Sequence, residues 1–498
     1  MDLQIDDRQA GERNSPASIV SETVVDDDGP LYAAPKRIYP QKVDGTFRRI
    51  KWILLVLTLG VYYALPFVRW TRGPGEPTQA VLVDLERHRF YFFFIEIWPQ
   101  EVYYITGLMI LAALGLFLMN ALAGRIWCGY LCPQTVWTDL YLMIERLAEG
   151  DRRDRMRKDA SPWTVERVAE KMIKHSLWLA IAWWTGGAWV LYFNDAPTLV
   201  KELATFRAPA IAYIWIGILT FTTYTLAGFM REQVCLYMCP WPRIQAALTD
   251  ENALNVTYRY DRGEPRMSVK KAKALRARNE LAGDCVDCNQ CVNVCPTGVD
   301  IRGGSNMGCI QCGLCIDACD NVMRKLGRNE RLIAYDTDVN IKRRLEGKEN
   351  VFKPVRTRTV LYAVLIVGIF GLMAGKFVTR ADAGLAVIHD RNPLFVTLSD
   401  GGIRNAYTVR FSNMVARDRK FTLTVEGLNG LTMDLVGESK DRKAAEQVAI
   451  GPDQTREARL LLFSGDARID SNSTPLVFTL KDEAGKTVAT AKDFFRAP

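Results

Sequence analysis

The sequence CVDCNQCVNVCPTGVDIRGGSNMGCIQCGLCIDAC, residues 285–319, carries eight of the twelve cysteines of this 498-residue chain. These cysteines follow the spacing C-x2-C-x2-C-x3-C twice, with thirteen residues between the two runs. Soft thiolates at this spacing are typical of iron–sulfur proteins, in which one loop supplies three ligands and the fourth cysteine reaches the other cluster. The stretch therefore predicts a bacterial-type ferredoxin domain over about residues 275–330, with two 4Fe–4S clusters.

The crossed arrangement takes three ligands for each cluster from one run and the fourth from the other. The first predicted set is Cys285, Cys288, Cys291 and Cys319, and the second is Cys309, Cys312, Cys315 and Cys295. A disulfide framework or a structural zinc site would also use many cysteines. Zinc modules rarely place three cysteines two residues apart and then add a fourth, and here the whole unit recurs, so the spacing favours clusters.

Outside this stretch, five apolar segments approach the length of a membrane-crossing helix. They are 52–68, 102–123, 176–193, 210–229 and 359–378. The mean hydropathy of −0.03 hides this segregation of apolar and charged residues. The net charge of +8 lies on Lys and Arg that flank the apolar segments, which favours a lipid bilayer as the partner and not nucleic acid.

Lys and Arg in the connecting segments predict the orientation, because cytoplasmic segments carry more of them. Residues 124–175 carry ten, whereas 194–209 carry two. The expected organisation is a cytoplasmic tail (1–51, with 1–35 disordered), a transmembrane hairpin (52–123), a cytoplasmic loop (124–175), a second hairpin (176–229), a cytoplasmic segment with the ferredoxin (230–358), a fifth transmembrane helix (359–378) and a periplasmic domain (379–498). We therefore expect a multi-pass membrane protein with its clusters in the reducing cytoplasm.

The last part of the chain, from residue 385 onward, contains no cysteine and alternates apolar with polar residues in about seven short segments. Such alternation is typical of half-buried strands. The residues expected to face the core include Tyr407, Val409 and Phe411; Phe421, Leu423 and Val425; Leu460 and Leu462; and Leu476, Phe478 and Leu480. The pattern predicts an antiparallel, all-β immunoglobulin-like sandwich without a disulfide.

The four remaining cysteines form two C-x-Y-x-C-P motifs, at 128–133 and 235–240. Each motif follows an apolar segment, so we interpret them as an internal duplication. Spacing of i and i+4 places both thiols of a pair on one helical face, and the proline ends or kinks the helix. If the hairpins pack side by side, Cys128, Cys132, Cys235 and Cys239 converge and could bind iron or copper or act as dithiols; alternatively, they are small buried residues at helix crossings.

Other redox cofactors find no matching motif in the sequence. The three histidines, His88, His175 and His389, offer no pair inside an apolar segment for a transmembrane haem. There is no C-x-x-C-H motif and no G-x-G-x-x-G run after a strand. A basic run at 270–278 could dock an acidic electron donor or form a solvated face near anionic lipid.

Taken together, these motifs resemble the CcoG/FixG/RdxA family of bacterial cytochrome c oxidase accessory proteins. The resemblance covers nearly the whole chain: five apolar helices, both C-x3-C-P motifs, the doubled ferredoxin run and the immunoglobulin-like domain. It implies that the eight ferredoxin cysteines are cluster ligands and that the other four form the membrane motif. It also implies reduction of cupric to cuprous ion for a cbb-type oxidase. One small departure is Asp320, which follows Cys319 where the first run has a proline.

We therefore expect a membrane-bound iron–sulfur oxidoreductase that takes electrons from an unidentified cytoplasmic donor. Its catalytic residues would be Cys128, Cys132, Cys235 and Cys239, with an additional iron or copper at these thiols. Its partners would be the cbb-type oxidase or its assembly and copper-delivery factors. Two alternatives remain open: a quinol/ferredoxin electron carrier that feeds another respiratory enzyme, and a non-enzymatic scaffold for oxidase assembly.

Overall fold

The computed structural model describes residues 37–72, 76–399, 401–415, 417–428, 430–437, 442–452, 454–465 and 472–497. The predicted disordered tail, 1–35, lies outside these ranges. The helices are α1 Thr46–Ala64, α2 Tyr103–Ala123, α3 Ile126–Tyr130, α4 Pro133–Glu149, α5 Arg152–Ala160, α6 Val165–Val190, α7 Ala196–Ala204, α8 Ala210–Gly228, α9 Arg231–Gln233, α10 Trp241–Leu248, α11 Tyr260–Gly263, α12 Val269–Ala277, α13 Gln290–Asn293, α14 Leu314–Lys325, α15 Asp338–Leu345 and α16 Thr357–Val378. A π-helical turn follows α9 at Val234–Met238, and short 3₁₀ turns lie at Leu65–Phe67, Pro99–Glu101 and Ile301–Gly303.

The strands belong to four separate sheets. They are β1 Val81–Asp84, β2 Arg89–Phe92, β3 Ile95–Ile97, β4 Asn255–Tyr258, β5 Ile333–Asp336, β6 Ala383–His389, β7 Val396–Thr397, β8 Ile403–Asn413, β9 Arg419–Glu426, β10 Leu431–Leu435, β11 Ala445–Ile450, β12 Thr455–Ser464, β13 Ser473–Lys481 and β14 Thr487–Arg496. Strands β1, β2 and β3 form a small antiparallel sheet between α1 and α2 that the sequence did not predict.

Among the described residues, four helical segments are long and apolar enough to cross a membrane. They are Thr46–Phe67, Tyr103–Ala123, Ala210–Gly228 and Thr357–Val378. A helix satisfies its backbone polar groups internally, which a segment in lipid requires. The predicted segment 176–193 overlaps the second half of α6, whose first half carries several charges, and α6 is not one of the four. The count of five spans therefore stays a prediction.

Helix α1 begins six residues before the predicted segment because its basic residues are buried in an ion-pair cluster. Arg48 Nη1 lies 2.8 Å from Asp139 Oδ1 of α4, and Lys51 Nζ lies 3.4 Å from Asp139 Oδ2. The carboxylate of Asp317 in α14 accepts the backbone N–H groups of Phe47 (3.1 Å) and Arg48 (2.7 Å). These N–H groups at the start of a helix have no partner within it, so Asp317 caps α1 and joins it to the ferredoxin segment.

The ferredoxin segment lies between two strands that are distant in sequence. Strand β4 pairs antiparallel with β5, from Asn255 opposite Asp336 to Tyr258 opposite Ile333. Apolar residues beneath this pair, including Ile316 and Met323 of α14, are buried. The structural unit therefore extends beyond the predicted 275–330 on both sides, because the pairing partner of β5 precedes the cysteines.

Strands β6–β14 form the C-terminal domain of two antiparallel sheets. The sheet orders are β10-β12-β8-β6, with β7 paired to β8, and β11-β9-β13-β14. Side chains from both sheets share one core, in which Tyr407, Phe421 and Phe478 are fully buried. The immunoglobulin-like sandwich is confirmed. Its described strands number nine instead of about seven, and one of them, the two-residue β7, is too short to show alternation.

Replacing Phe478 by alanine should destabilise the C-terminal domain by about 3–5 kcal/mol, since a large buried ring leaves a cavity. Phe478 lies on β13 with no exposed surface. Phe494→Ala on β14 is the matched control, because 49% of Phe494 is exposed. Hydrogen exchange of β13 amides in the full-length protein measures the change. Equal protection in the two variants would contradict the assigned core.

Candidate iron–sulfur and metal centre

The first ferredoxin cavity brings together one of the two predicted cysteine sets. Its lining includes Cys285, Cys288, Cys291 and Cys319, with the apolar side chains of Tyr258, Met323, Leu332 and Ile333 around them. Cys319 comes from the second run of cysteines, four residues after Cys315 on α14.

The second cavity brings together the other set. Its lining includes Cys295, Cys309, Cys312 and Cys315. Cys291 also borders it, so the two cavities are neighbours. Each cavity thus receives three cysteines of one run and the last cysteine of the other.

Both cysteine loops turn around their cavities with the same backbone device. The second cysteine of each run lies between two residues with left-handed φ. These residues are Asp287 (φ 52°) and Asn289 (φ 56°) around Cys288, and Gln311 (φ 56°) and Gly313 (φ 74°) around Cys312. Gly, Asn and Asp adopt this region at the lowest steric cost. The repeated spacing therefore encodes a repeated loop conformation.

The chemistry of these thiols fits iron–sulfur clusters. Burial raises the pKa of Cys291, Cys309 and Cys319 to about 12 each. A buried thiolate without a cation is unfavourable, whereas coordination to iron stabilises it. Cavities that bring four thiols of one set together among apolar side chains match this cofactor class.

The two C-x3-C-P motifs contain the same backbone hydrogen bond. The N–H of Cys132 donates to Trp127 O at 2.9 Å, and the N–H of Cys239 donates to Val234 O at 2.8 Å. In each case the second cysteine bonds to the residue before the first cysteine. The local conformation is therefore common to both motifs, as expected of a duplication.

The predicted placement of both thiols on one helical face differs from the structure. Helix α3 ends at Tyr130, and Cys132 (φ −62°, ψ 127°) is extended. The π-helical turn ends at Met238, and Cys239 (φ −81°, ψ 123°) is extended too. A proline disfavours helical conformation in the residue before it, so Pro133 and Pro240 end the turns as predicted but also move the second thiol off the helix.

The four thiols of the two motifs converge at one place. The pKa of Cys235 is raised to about 12, first by burial and then by the neighbouring Cys132, Cys128 and Cys239. Burial raises the pKa of Cys128 to about 11. Within the described ranges, no three His, Cys, Asp or Glu side chains are placed to hold a single metal ion. A small cavity adjoins Cys235 and is also lined by Glu232, Lys51 and Thr297.

The first motif touches the loop of the second ferredoxin cavity. The hydroxyl of Tyr130 donates to Cys312 O at 3.0 Å. A Cβ on Gly129 would lie 2.8 Å from Ile310 O and 3.0 Å from Cys312 Cα. The side chains of Cys128 and Cys235 pack in the same apolar cluster as Ile310 and Cys312. The first cysteine of each motif, Cys128 and Cys235, therefore packs in one apolar cluster with Cys312 of the second cysteine set.

Arg125 and Gln245, which the sequence did not single out, join the first motif to α10 and to the ferredoxin loop. Gln245 Oε1 accepts from Cys128 Sγ (3.3 Å) and from Arg125 Nε (3.2 Å). Arg125 Nη1 also donates to Cys309 O at 3.0 Å. Burial lowers the pKa of Arg125, and the nearby Cys128, Cys309, Cys235 and Cys239 oppose that shift. An alignment of the two motifs was the signal available in the sequence. It places Arg125 opposite Glu232, each three residues before the first cysteine, and so shows opposite charges at equivalent positions.

Replacing Gly129 by alanine should destabilise this contact by about 1–3 kcal/mol, because the backbone of Ile310 and Cys312 cannot yield as a side chain can. The temperature at which cluster absorbance is lost should fall. Gly303→Ala is the control, since a Cβ at Gly303 meets no atom within 4 Å. Equal temperatures for both variants would show that the contact is loose.

The fold and the two crossed cavities define a dicluster iron–sulfur protein with apolar, membrane-crossing helices. A model described as a 4Fe–4S dicluster domain matches residues 230–338, and a 4Fe–4S binding domain matches 105–147. A model of the immunoglobulin-like fold at the C-terminus of FixG matches 373–498. The chain belongs to the FixG/RdxA family and is an iron–sulfur electron-transfer protein of the membrane.

Membership rests on relatives that align over most of their length. The nitrogen fixation protein FixG of Rhizobium meliloti is 47% identical, over 87% of this chain and 87% of its own. Protein RdxA of Cereibacter sphaeroides is 49% identical over 92% and 96%, and its protein RdxB is 46% identical over 87% and 90%. Among solved structures, a FixG-related protein from Vibrio parahaemolyticus aligns with 24% of this chain and 98% of its own at 24% identity, with a TM-score of 0.20.

Proposed function

We propose that this protein reduces Cu(II) to Cu(I) at Cys128, Cys132, Cys235 and Cys239, for the assembly of a cbb-type cytochrome c oxidase. The observation that carries the proposal is the contact between Gly129–Tyr130 and the backbone of Cys312. It places a second group of soft donors directly beside a cysteine set of the ferredoxin type.

The proposed cluster ligands are the two sets that line the two cavities. They are Cys285, Cys288, Cys291 and Cys319 for the first, and Cys295, Cys309, Cys312 and Cys315 for the second. When bound, two 4Fe–4S clusters supply one-electron redox chemistry. The protein's own contribution is to exclude water with apolar walls and to hold the cavities side by side through the shared Cys291.

Copper is the substrate of the proposed site. Each Cu(II) takes one electron, which a reduced donor loses, and binding releases protons from the thiols that become ligands. Thiolates favour Cu(I) over Cu(II), so the site stabilises the product. The thiols must close around the ion, and the cavity beside Cys235 offers a way in.

The proposed topology has five spans, with the N-terminus, the loop 124–175 and the segment 230–358 in the cytoplasm and residues 379–498 in the periplasm. Support comes from the four apolar helices and from the basic residues between them. In this arrangement the chain lies in the bacterial inner membrane, and its C-terminal domain meets the oxidase or its assembly and copper-delivery factors.

The function is tested with purified protein that has been chemically reduced without oxygen and freed of excess reductant. Added Cu(II) should appear as Cu(I), measured with a cuprous chelator, one ion for each electron that the protein loses. Oxidised protein is the control and should yield none. The proposal fails if the reduced protein keeps its electrons in the presence of Cu(II) but passes them to a quinone, which would make it a quinone-linked carrier.

A further inference from the structure

Helix α12 carries a concentration of positive charge beside the first ferredoxin cavity. Residues 265–279 contain six Lys and Arg and no Asp or Glu. All six are exposed: Arg266, Lys270, Lys271, Lys273, Arg276 and Arg278. Arg266 pairs with Glu264, and Arg276 pairs with Asp284 at 2.8 Å between Nη2 and Oδ1. Within the described residues the other four form no ion pair, so their charge is free to act on a partner.

The helix is fixed to the loop that leads into the first cavity. Its residue Ala272 is fully buried. The N–H of Met267, two residues before α12, donates to Cys285 O at 3.3 Å. The Arg276 guanidinium also donates to Gly283 O at 3.1 Å. The basic face therefore keeps a set position relative to Cys285.

The first cavity reaches the surface at Cys288. All twelve cysteines lie within described ranges, and only Cys288 among them is exposed. Asp287, next to Cys288 in the chain, and Asp300 both pair with Arg302. Arg302 thus offsets one of these two negative charges, whereas Lys270, Lys271 and Lys273 of α12 add three exposed positive charges that form no ion pair among the described residues.

A bilayer is the less suitable partner for this face. The segment after α2 meets the ferredoxin segment at the other cavity, through Gly129 and Tyr130 against Cys312, and α1 meets it at Asp317 of α14. Helix α12 is attached instead to the loop of Cys285. A protein that delivers electrons must come close to the exposed cysteine, and complementary charge speeds and orients such encounters.

We infer that the exposed lysines of α12, together with the surface around Cys288, form the docking site of a small acidic one-electron carrier protein. The inference rests on the proposed function, since it names the class of donor. In the docked complex the reduced carrier loses one electron and this protein gains one. Lys270, Lys271 and Lys273 pair with carboxylates around the carrier's redox group.

The test is a binding measurement with full-length protein in nanodiscs of zwitterionic lipid and an acidic flavodoxin as the probe. The variant K270E/K271E/K273E should weaken binding about tenfold or more at low ionic strength. The loss should shrink as salt screens the charges. The control K420E/K443E/K492E makes the same charge change on exposed lysines of the C-terminal domain and should bind as wild type does.

Equal affinity of wild type and the α12 variant would overturn the inference. So would a variant that keeps its flavodoxin affinity but loses binding to phosphatidylglycerol vesicles, because the helix would then face lipid. Copper reduction after chemical reduction bypasses the docking surface. A failed copper assay therefore leaves the binding result standing, and a failed binding assay leaves the copper result standing.

Discussion

The Cys295→Ala variant is expected to lose the cluster held by Cys309, Cys312 and Cys315, which belong to the second cysteine run. It should keep the cluster held by the other three cysteines of the first run. Cys295 belongs to the first run but lines the cavity of Cys309, Cys312 and Cys315. Conversely, Cys319→Ala should lose the cluster of Cys285, Cys288 and Cys291. Iron content should fall by about half in each variant, since one of two four-iron clusters is gone.

Residual electron paramagnetic resonance signals distinguish crossed from local ligation. With crossed ligation, Cys295→Ala leaves the same spectrum as Cys312→Ala, and Cys319→Ala the same as Cys288→Ala. With local ligation the pairs exchange, so that Cys295→Ala matches Cys288→Ala. The second pattern would disprove the ligand sets proposed here while leaving two clusters in place.

The double variant Cys128→Ser/Cys239→Ser is expected to lose copper reduction by at least about 100-fold with both clusters intact. Loss of an outer partner of a metal site already costs 10–100-fold, and this variant removes two proposed ligands, one from each motif. Initial rates of Cu(I) formation, with spin integration of both clusters, measure the effect.

Met238→Leu is the matched control for this variant. It lies between the two cysteines of the second motif, and 54% of its surface is exposed, so its rate should equal that of wild type. Unchanged rates in the double variant would remove these cysteines from the mechanism. Loss of a signal beyond the two clusters would instead reveal a third metal centre at the four thiols.

Local patterns in the sequence predicted much of this architecture. Cysteine spacing alone grouped Cys295 with Cys309 and Cys319 with Cys285, because the spacing reflects how a short loop wraps around a cavity. Alternation along β8 and β13 placed Tyr407 and Phe478 in the core for a similar reason, since side chains of a strand point alternately to its two faces.

Contacts between distant segments could not be predicted in this way. Gly129 meets Cys312 across more than 180 residues, and no local pattern marks that approach. The sequence predicted that Arg48 precedes the membrane segment, but Arg48 lies within α1 and is buried against Asp139 of α4. Spacing predicted Cys128 and Cys132 on one helical face, but the effect of Pro133 on the preceding residue prevailed over helical periodicity.

The shared turn of the two C-x3-C-P motifs hides a difference between them. Position 129 is a glycine that allows close approach to Cys312, whereas its counterpart in the second motif is Leu236; likewise Arg125 stands where the second motif has Glu232. A leucine at 129 would collide with the backbone of Ile310 and Cys312. The pair is therefore only pseudosymmetric, and the two copies cannot be exchanged. Both motifs border the ferredoxin segment, the first through the backbone approach at Gly129 and the second through the side chains of Cys235 and Leu236.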